Sequence, residues 1–298
     1  MSELLKFERR GAGLKSLAAL AVFGMFLLLL AGGAGYTPSA AGASAYQFPG
    51  RGDDLPNGHY WYLAGEHTGG GKAHDLTGVR FDAKNNRWTR VKNDAEAYKA
   101  NPTNEDNIIY GVPVYAMAGG EVISCWRNSP ENPKPGESHP GRIATPKTIP
   151  RSGNHLTIMT SDGSVLHSAH MQPGSVPAAL CPYRAQFIKD ADNKKGGIPV
   201  ETFIPEGQRP KVKQGQLIGR VGNSGASSGP HLHVHLKTAE DGDELSTSEQ
   251  MLFYGAKVKS TTKLADLPAD WVPLTSDPLA WPQAILPNKS LDKLKANF

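Results

Sequence analysis

Residues 231–236 read His-Leu-His-Val-His-Leu, a strict alternation of imidazole and aliphatic side chains. A two-residue period is that of a β-strand, whose successive side chains point to opposite faces. Leu232, Val234 and Leu236 then share an apolar face that packs on a core. His231, His233 and His235 share the other. The approach to this strand, Gly222 to Pro230, is a turn rich in glycine and serine. Imidazole is the commonest metal-ligating side chain. Three histidines in five residues favour a chemical surface over a merely polar strand face.

The rest of the chain reads in the same period. Of 298 residues, 33 are glycine and 23 proline, which favours short strands with many turns over long helices. With 39% hydrophobic and 20% charged residues, the composition is that of an ordinary globular protein. The formal net charge is +4, of which +2 falls before residue 46. No concentrated basic face remains, which argues against a nucleic-acid partner.

The first 45 residues stand apart. Lys6, Arg9, Arg10 and Lys15 form a positive segment, and residues 16–31 carry no charge. Small residues follow, including Ala43-Ser44-Ala45. This is the pattern of a signal peptide or of an uncleaved membrane anchor, and it predicts export. Residues 46–58 read as a linker rich in Pro, Gly and Asp. Cys125 and Cys181 are the only cysteines, and in an oxidising compartment one pair predicts one disulfide. Closing a loop of that length would stabilise by roughly 4 kcal/mol in the chain-entropy model.

From residue 59 the strands follow in order. His59 to Leu63 is a strand. Residues 65–76 form a glycine-rich loop that carries His67, His74 and Asp75. Residues 79–81 and 87–89 flank a hairpin turn containing Asp82. Residues 92–107 form a short helix or loop. Strand, turn and strand follow over residues 112–126. A proline-rich insertion, 127–152, carries His139 on an exposed stretch. Residues 154–160 and 165–171 form a hairpin in which alternation puts His170 on the face of Leu166 and Ser168, opposite His167. A second insertion spans 172–207. His59, His155 and His167 read as ordinary strand residues, and His235 as a residue that either orients a ligand or meets solvent. Residues 241–298 form a C-terminal extension without recognisable chemistry, which wraps or lengthens the domain.

These pieces resemble the LytM/lysostaphin-type zinc endopeptidases. Val212 to His233 is similar to that family's closing segment, V-x-x-G-Q-x-I-G-x-x-G followed by G-x-S-x-G-P-H-L-H. Gly111 to Ala116 with Gly120-Glu121-Val122 resembles its G-T-P-V-Y-A and G-x-V hairpin. Gly153-Asn154, Asp162-Gly163 and Ser168-Ala169-His170-Met171 resemble its G-N-x-V-x-I, D-G and Y-A-H-L elements. The resemblance covers about residues 59–236, with the two insertions.

The resemblance implies a mainly β fold, an antiparallel twisted sheet with a groove across it, over residues 59–240. It implies a Zn2+ ion held by His233, and catalytic roles for His170 and His231. The family's other two ligands are an upstream His and Asp, usually four positions apart. No H-x-x-x-D stands upstream of Gly111 here. Asp106 lies near the expected place, but Pro102 stands where its histidine should be. His67 with Asp75 is the preferred pair, because Leu76 supplies the apolar residue that normally follows the family's aspartate. His74 with Asp82, and His67 with Asp82, remain open. Two histidines and one aspartate leave a coordination position for water, the mark of a catalytic zinc site. The implied activity is hydrolysis of peptide bonds in bacterial peptidoglycan, with cell-wall peptides as partners. A catalytically inactive wall-binding or regulatory domain of the same fold is the alternative. An exported metal- or carbohydrate-binding β domain is the third reading.

Overall fold

A computed structural model describes residues 45–67, 73–93, 95–143, 149–182, 203–237, 251–260, 272–273 and 283–287. The expected export segment lies almost wholly outside these residues. The elements, in chain order, are β1 (Ala45–Gln47), β2 (His59–His67), β3 (Ala73–Asp82), β4 (Arg87–Thr89), α1 (Ala95–Ala100), β5 (Pro113–Tyr115) and β6 (Gly120–Trp126). Next come α2 (Pro140–Ile143), β7 (Asn154–Met159), β8 (Val165–Met171), β9 (Lys211–Val212), β10 (Leu217–Arg220) and β11 (Leu232–Lys237). The last are β12 (Leu252–Tyr254), β13 (Ala256–Ser260), β14 (Val272–Pro273) and β15 (Gln283–Pro287). The fold is mainly β, as the alternating patterns predict.

One large sheet runs β14-β13-β15-β2-β3-β11-β8-β7-β6-β9, with β4 paired to β3. Its pairings are antiparallel throughout. Two small two-stranded sheets, β5 with β10 and β1 with β12, lie outside it. The histidine-rich strand β11 sits inside the large sheet, between β3 and β8. Trp61, Leu63, Leu76, Leu156, Leu166, Leu232 and Val234 point from β2, β3, β7, β8 and β11 into one hydrophobic core. Val114 and Ile218 of the β5/β10 pair belong to the same core.

Several stretches differ from the sequence reading. The loop expected over residues 65–76 is largely strand, because β2 continues to His67 and β3 begins at Ala73. Residues 46–58, read as a linker, send Tyr46, Phe48 and Leu55 into the core, where Phe48 meets Trp61 and Phe253 edge-on. Strands β12 to β15 come from the stretch read as an extension, and β15 pairs with β2 of the large sheet. Isolated Phe48 and Phe253 carry no periodic signal; cross-strand packing gathers them.

Cys125 of β6 and Cys181 are joined by a disulfide, with Cα atoms 5.7 Å apart. It ties the second insertion to the sheet. Among the described residues no helix is long and apolar enough to cross a membrane.

Candidate active site

The sheet registers decide which side chains meet. His233 pairs directly with Asp75 across β11 and β3, and with Ala169 across β11 and β8. His235 pairs with His167, and His167 with Thr157 of β7. Directly opposed residues share a face. Asp75, His233, His235, His167 and Thr157 therefore stand on the sheet face opposite the core.

His74, one residue from Asp75, faces the other way. It pairs with Val234 and packs its ring 5.7 Å from that of Phe253. Burial lowers its pKa to about 4. Asp82 closes the β3–β4 turn on Asn85 at 2.8 Å. His74 and Asp82 thus lie apart from the other candidates, one in the core and one at a turn. Asp106 accepts from Thr103 Oγ1 at 2.7 Å and caps a local turn. His67 pairs with Ala73, two positions beyond the Gly65–Asp75 pair; its side chain lies outside the described atoms.

His170 departs from the sequence expectation. Strict alternation would turn it away from the face of His167. Its φ is +64°, a left-handed conformation that a residue with a Cβ adopts at a cost of about 1–2 kcal/mol. The break in alternation carries its ring to 4.7 Å from His231 and 5.8 Å from His233. Asp75, His170, His231 and His233 therefore converge.

Hydrogen bonds fix the orientation of each ring. A carbonyl oxygen only accepts, so a ring nitrogen facing one carries the hydrogen. His170 donates from Nδ1 to the Ser224 carbonyl at 2.8 Å, leaving Nε2 as a lone pair. Burial, then the neighbouring His231 and His233, push its pKa well below the usual value, so it is neutral. His231 donates from Nδ1 to the Gly229 carbonyl at 2.8 Å. Its Nε2 then faces Asp75 Oδ1 at 3.4 Å. The same Oδ1 lies 3.0 Å from His233 Nδ1. His233 Nε2 meets His235 Nδ1 at 2.9 Å.

Two lone pairs confronting each other between His231 Nε2 and Asp75 Oδ1 call for a positive centre, a proton or a metal ion. A carboxylate oxygen with imidazole nitrogens is the donor chemistry of zinc and related divalent ions. Among the described residues no group of three His, Cys, Asp or Glu side chains is arranged to hold a metal. Asp75 and His233 supply two donors of fitting chemistry.

A row of histidines continues behind His233. His235 stacks on His167 at 4.7 Å, and His167 lies 5.3 Å from His155. Both His155 and His167 are buried, with pKa values lowered chiefly by burial, that of His155 to about 4. Thr157 Oγ1 and Ser152 Oγ hold the two nitrogens of His167 at 2.8 and 3.0 Å. These rings belong to a supporting layer, which single-strand alternation did not reveal.

The loop before β11 is clamped by residues the sequence reading passed over. Ser224 Oγ donates to the Met171 carbonyl at 2.8 Å and accepts from the Asn154 backbone N–H at 2.9 Å. Asn132 Nδ2 donates to the carbonyls of Gly225 and Ser227 at 3.1 and 3.0 Å. Asn132 comes from the proline-rich insertion, so part of that segment cradles the site. His139, expected to be exposed, is half-buried, and its backbone N–H donates to Asn132 Oδ1. Ser224 precedes the G-x-S-x-G motif, whose serine is Ser227, so the only motif signal among these clamping residues is Asn154, which follows Gly153.

No family model and no curated protein sequence matches the chain. Solved structures do show likeness. A catalytic-domain variant of the prophage-encoded M23 protein EnpA from Enterococcus faecalis is 20% identical, over 47% of this chain and 68% of that one, with a TM-score of 0.25. The catalytic domain of the antimicrobial peptidase lysostaphin from Staphylococcus simulans is 18% identical, over 50% and 78%, with a TM-score of 0.24. The deep-sea M23 metalloprotease pseudoalterin is 14% identical, over 79% and 98%, with a TM-score of 0.32.

Proposed function

We propose that the chain is an exported zinc-dependent endopeptidase that hydrolyses peptide bonds of bacterial peptidoglycan. The observation that carries this reading is the convergence of His231 Nε2 and His233 Nδ1 on one oxygen of Asp75, with His170 beside them. The G-P-H-L-H and A-H-M segments, similar to those of LytM/lysostaphin-type enzymes, supply the three histidines. Export is supported by the charged and apolar pattern of residues 6–31, and by a disulfide suited to an oxidising compartment.

His67, Asp75 and His233 would hold the zinc. When bound, zinc supplies Lewis-acid activation of a water and of the scissile carbonyl. The remaining work falls to side chains of this chain. His170, neutral and with Nε2 open, accepts a proton from the attacking water. His231, fixed through Nδ1, turns Nε2 towards the reacting centre and stabilises developing negative charge when protonated. His235 holds the far nitrogen of His233 and so sets which ring nitrogen faces Asp75.

The test is to measure zinc content of the purified chain and its hydrolysis of peptidoglycan and cross-bridge peptides, with and without a chelator. One zinc per chain and chelator-sensitive cleavage are expected. A folded protein that binds no metal and cuts nothing would overturn the reading in favour of a non-catalytic wall-binding module.

A further inference from the structure

One groove opens from the site, with a cavity volume of about 570 Å³. Its position follows from strand pairing. On one edge of β3, β11 pairs with residues 74–76 and β4 with residues 80–82. Between those pairings the β3 edge has a notch at residues 77–79, and the groove lies there. Asp75 and His231 line its inner end. Arg87, Arg90 and Lys99 line the wall formed by β4, the strand end after it, and α1. Among the described residues, Asp75 is the only acid lining it.

Arg87 Nε is buried and makes no hydrogen bond. Arg90 is exposed and lies 5.8 Å above the ring of Tyr62, a cation–π contact. Among the described residues no carboxylate pairs with either. Guanidinium groups present paired N–H donors that match a carboxylate bidentately. Arg87, half-buried, faces the groove with no carboxylate paired to it among the described residues, an electrostatic demand that an anionic ligand would satisfy.

We infer that the groove binds a peptide bearing a carboxylate, held by Arg87 and Arg90 on the β4 side of the scissile bond. This rests on the endopeptidase reading for its orientation, because Asp75 and His231 mark the reacting end. It adds a substrate class: peptides with a terminal or side-chain carboxylate on that side are preferred over neutral ones.

Three peptides of equal length with a neutral fluorescent label test this by anisotropy, in chelator so that they stay intact. One ends in an amide, one in a free carboxylate, and one in an amide with glutamate as its last residue. The carboxylate peptides, one or both, should bind roughly tenfold or more tightly than the neutral amide. In R87Q/R90Q the preference should fall to within twofold. Arg90 is exposed, so R90Q alone is a second variant that keeps the fold and should cut the preference at least threefold. Equal binding of all three peptides by the unaltered chain overturns the inference. So does a preference that survives in both variants. Cleavage is followed separately with zinc present: if no peptide is cut, the endopeptidase reading is at fault, while the binding preference still decides the groove.

Discussion

His170 Nδ1 lies 2.8 Å from the carbonyl oxygen of Ser224, although 54 residues separate them. This bond joins the end of strand β8 to the glycine-rich loop before β11. It orients the ring that faces His231 and His233. The loop does more than lead into a strand: its backbone sets the tautomer of a catalytic candidate.

The first prediction concerns the division of labour among the converging side chains. Asp75→Ala, His233→Ala and His67→Ala should each lose zinc and activity together. His170→Ala and His231→Ala should retain zinc while the rate falls by about 10²–10⁴-fold. Asp82→Ala should retain both, since Asp82 serves a turn. Metal analysis beside peptide hydrolysis reads this out. Zinc loss in Asp82→Ala with retention in Asp75→Ala would reverse the ligand assignment.

The second concerns the backbone of His170. Its φ of +64° suits asparagine far better than a β-branched residue. Both His170→Asn and His170→Val should lower activity about as far as His170→Ala. Denaturant unfolding should find the valine variant less stable than the asparagine variant by about 1–2 kcal/mol. Equal stabilities would mean the left-handed conformation is not retained in solution.

The third concerns the clamped loop. A Cβ added at Gly225 would stand 2.3 Å from the backbone nitrogen of Gly153, and Gly225 has φ +75°. Neither the contact nor the conformation accommodates a side chain. Gly225→Ala should cost about 2–4 kcal/mol in unfolding free energy. It should also lower activity in the protein that remains folded, because Ser224 moves with it. An alanine variant of unchanged stability and activity would show that the loop is not held as described.

The fourth concerns pH. His155 is buried, and its pKa falls from 6.5 to about 4. The unfolded chain then binds more protons than the folded one between those values. Stability from this group is complete above pH 6.5 and is lost as pH drops through 4. Glu131 has the opposite sign: burial raises its pKa from 4.5 to about 7. Its contribution is complete below pH 4.5 and is lost as pH rises through 7. For these two groups together, stability should be level between about pH 4.5 and 6.5, where their slopes oppose, and fall on either side, measured as urea midpoints across pH. Glu131→Gln should raise the midpoint at pH 8–9 and leave it nearly unchanged at pH 5. A midpoint that falls equally at both would show that Glu131 is ionised throughout.

The strand character of the chain and the face carrying the chemistry follow from the order of its residues alone. The alternation of residues 231–236 put His233 and His235 on one side and Leu232, Val234 and Leu236 on the core side, because side-chain direction in a strand is a local property. The β7–β8 hairpin and the pairing of the two cysteines were legible for similar reasons: each rests on short-range pattern or on a count of two. Long-range packing set the rest. The cross-strand register, set by how β3 and β8 align with β11, brought Asp75 opposite His233 and turned His74 into the core. The left-handed turn at His170 overrode the alternation that would have hidden it, because packing against Ser224 and the Gly225 loop sustains a conformation that no local preference selects. Asn132, Phe48 and the arginine wall of the groove entered the picture only through contacts distant in sequence, which periodicity cannot encode.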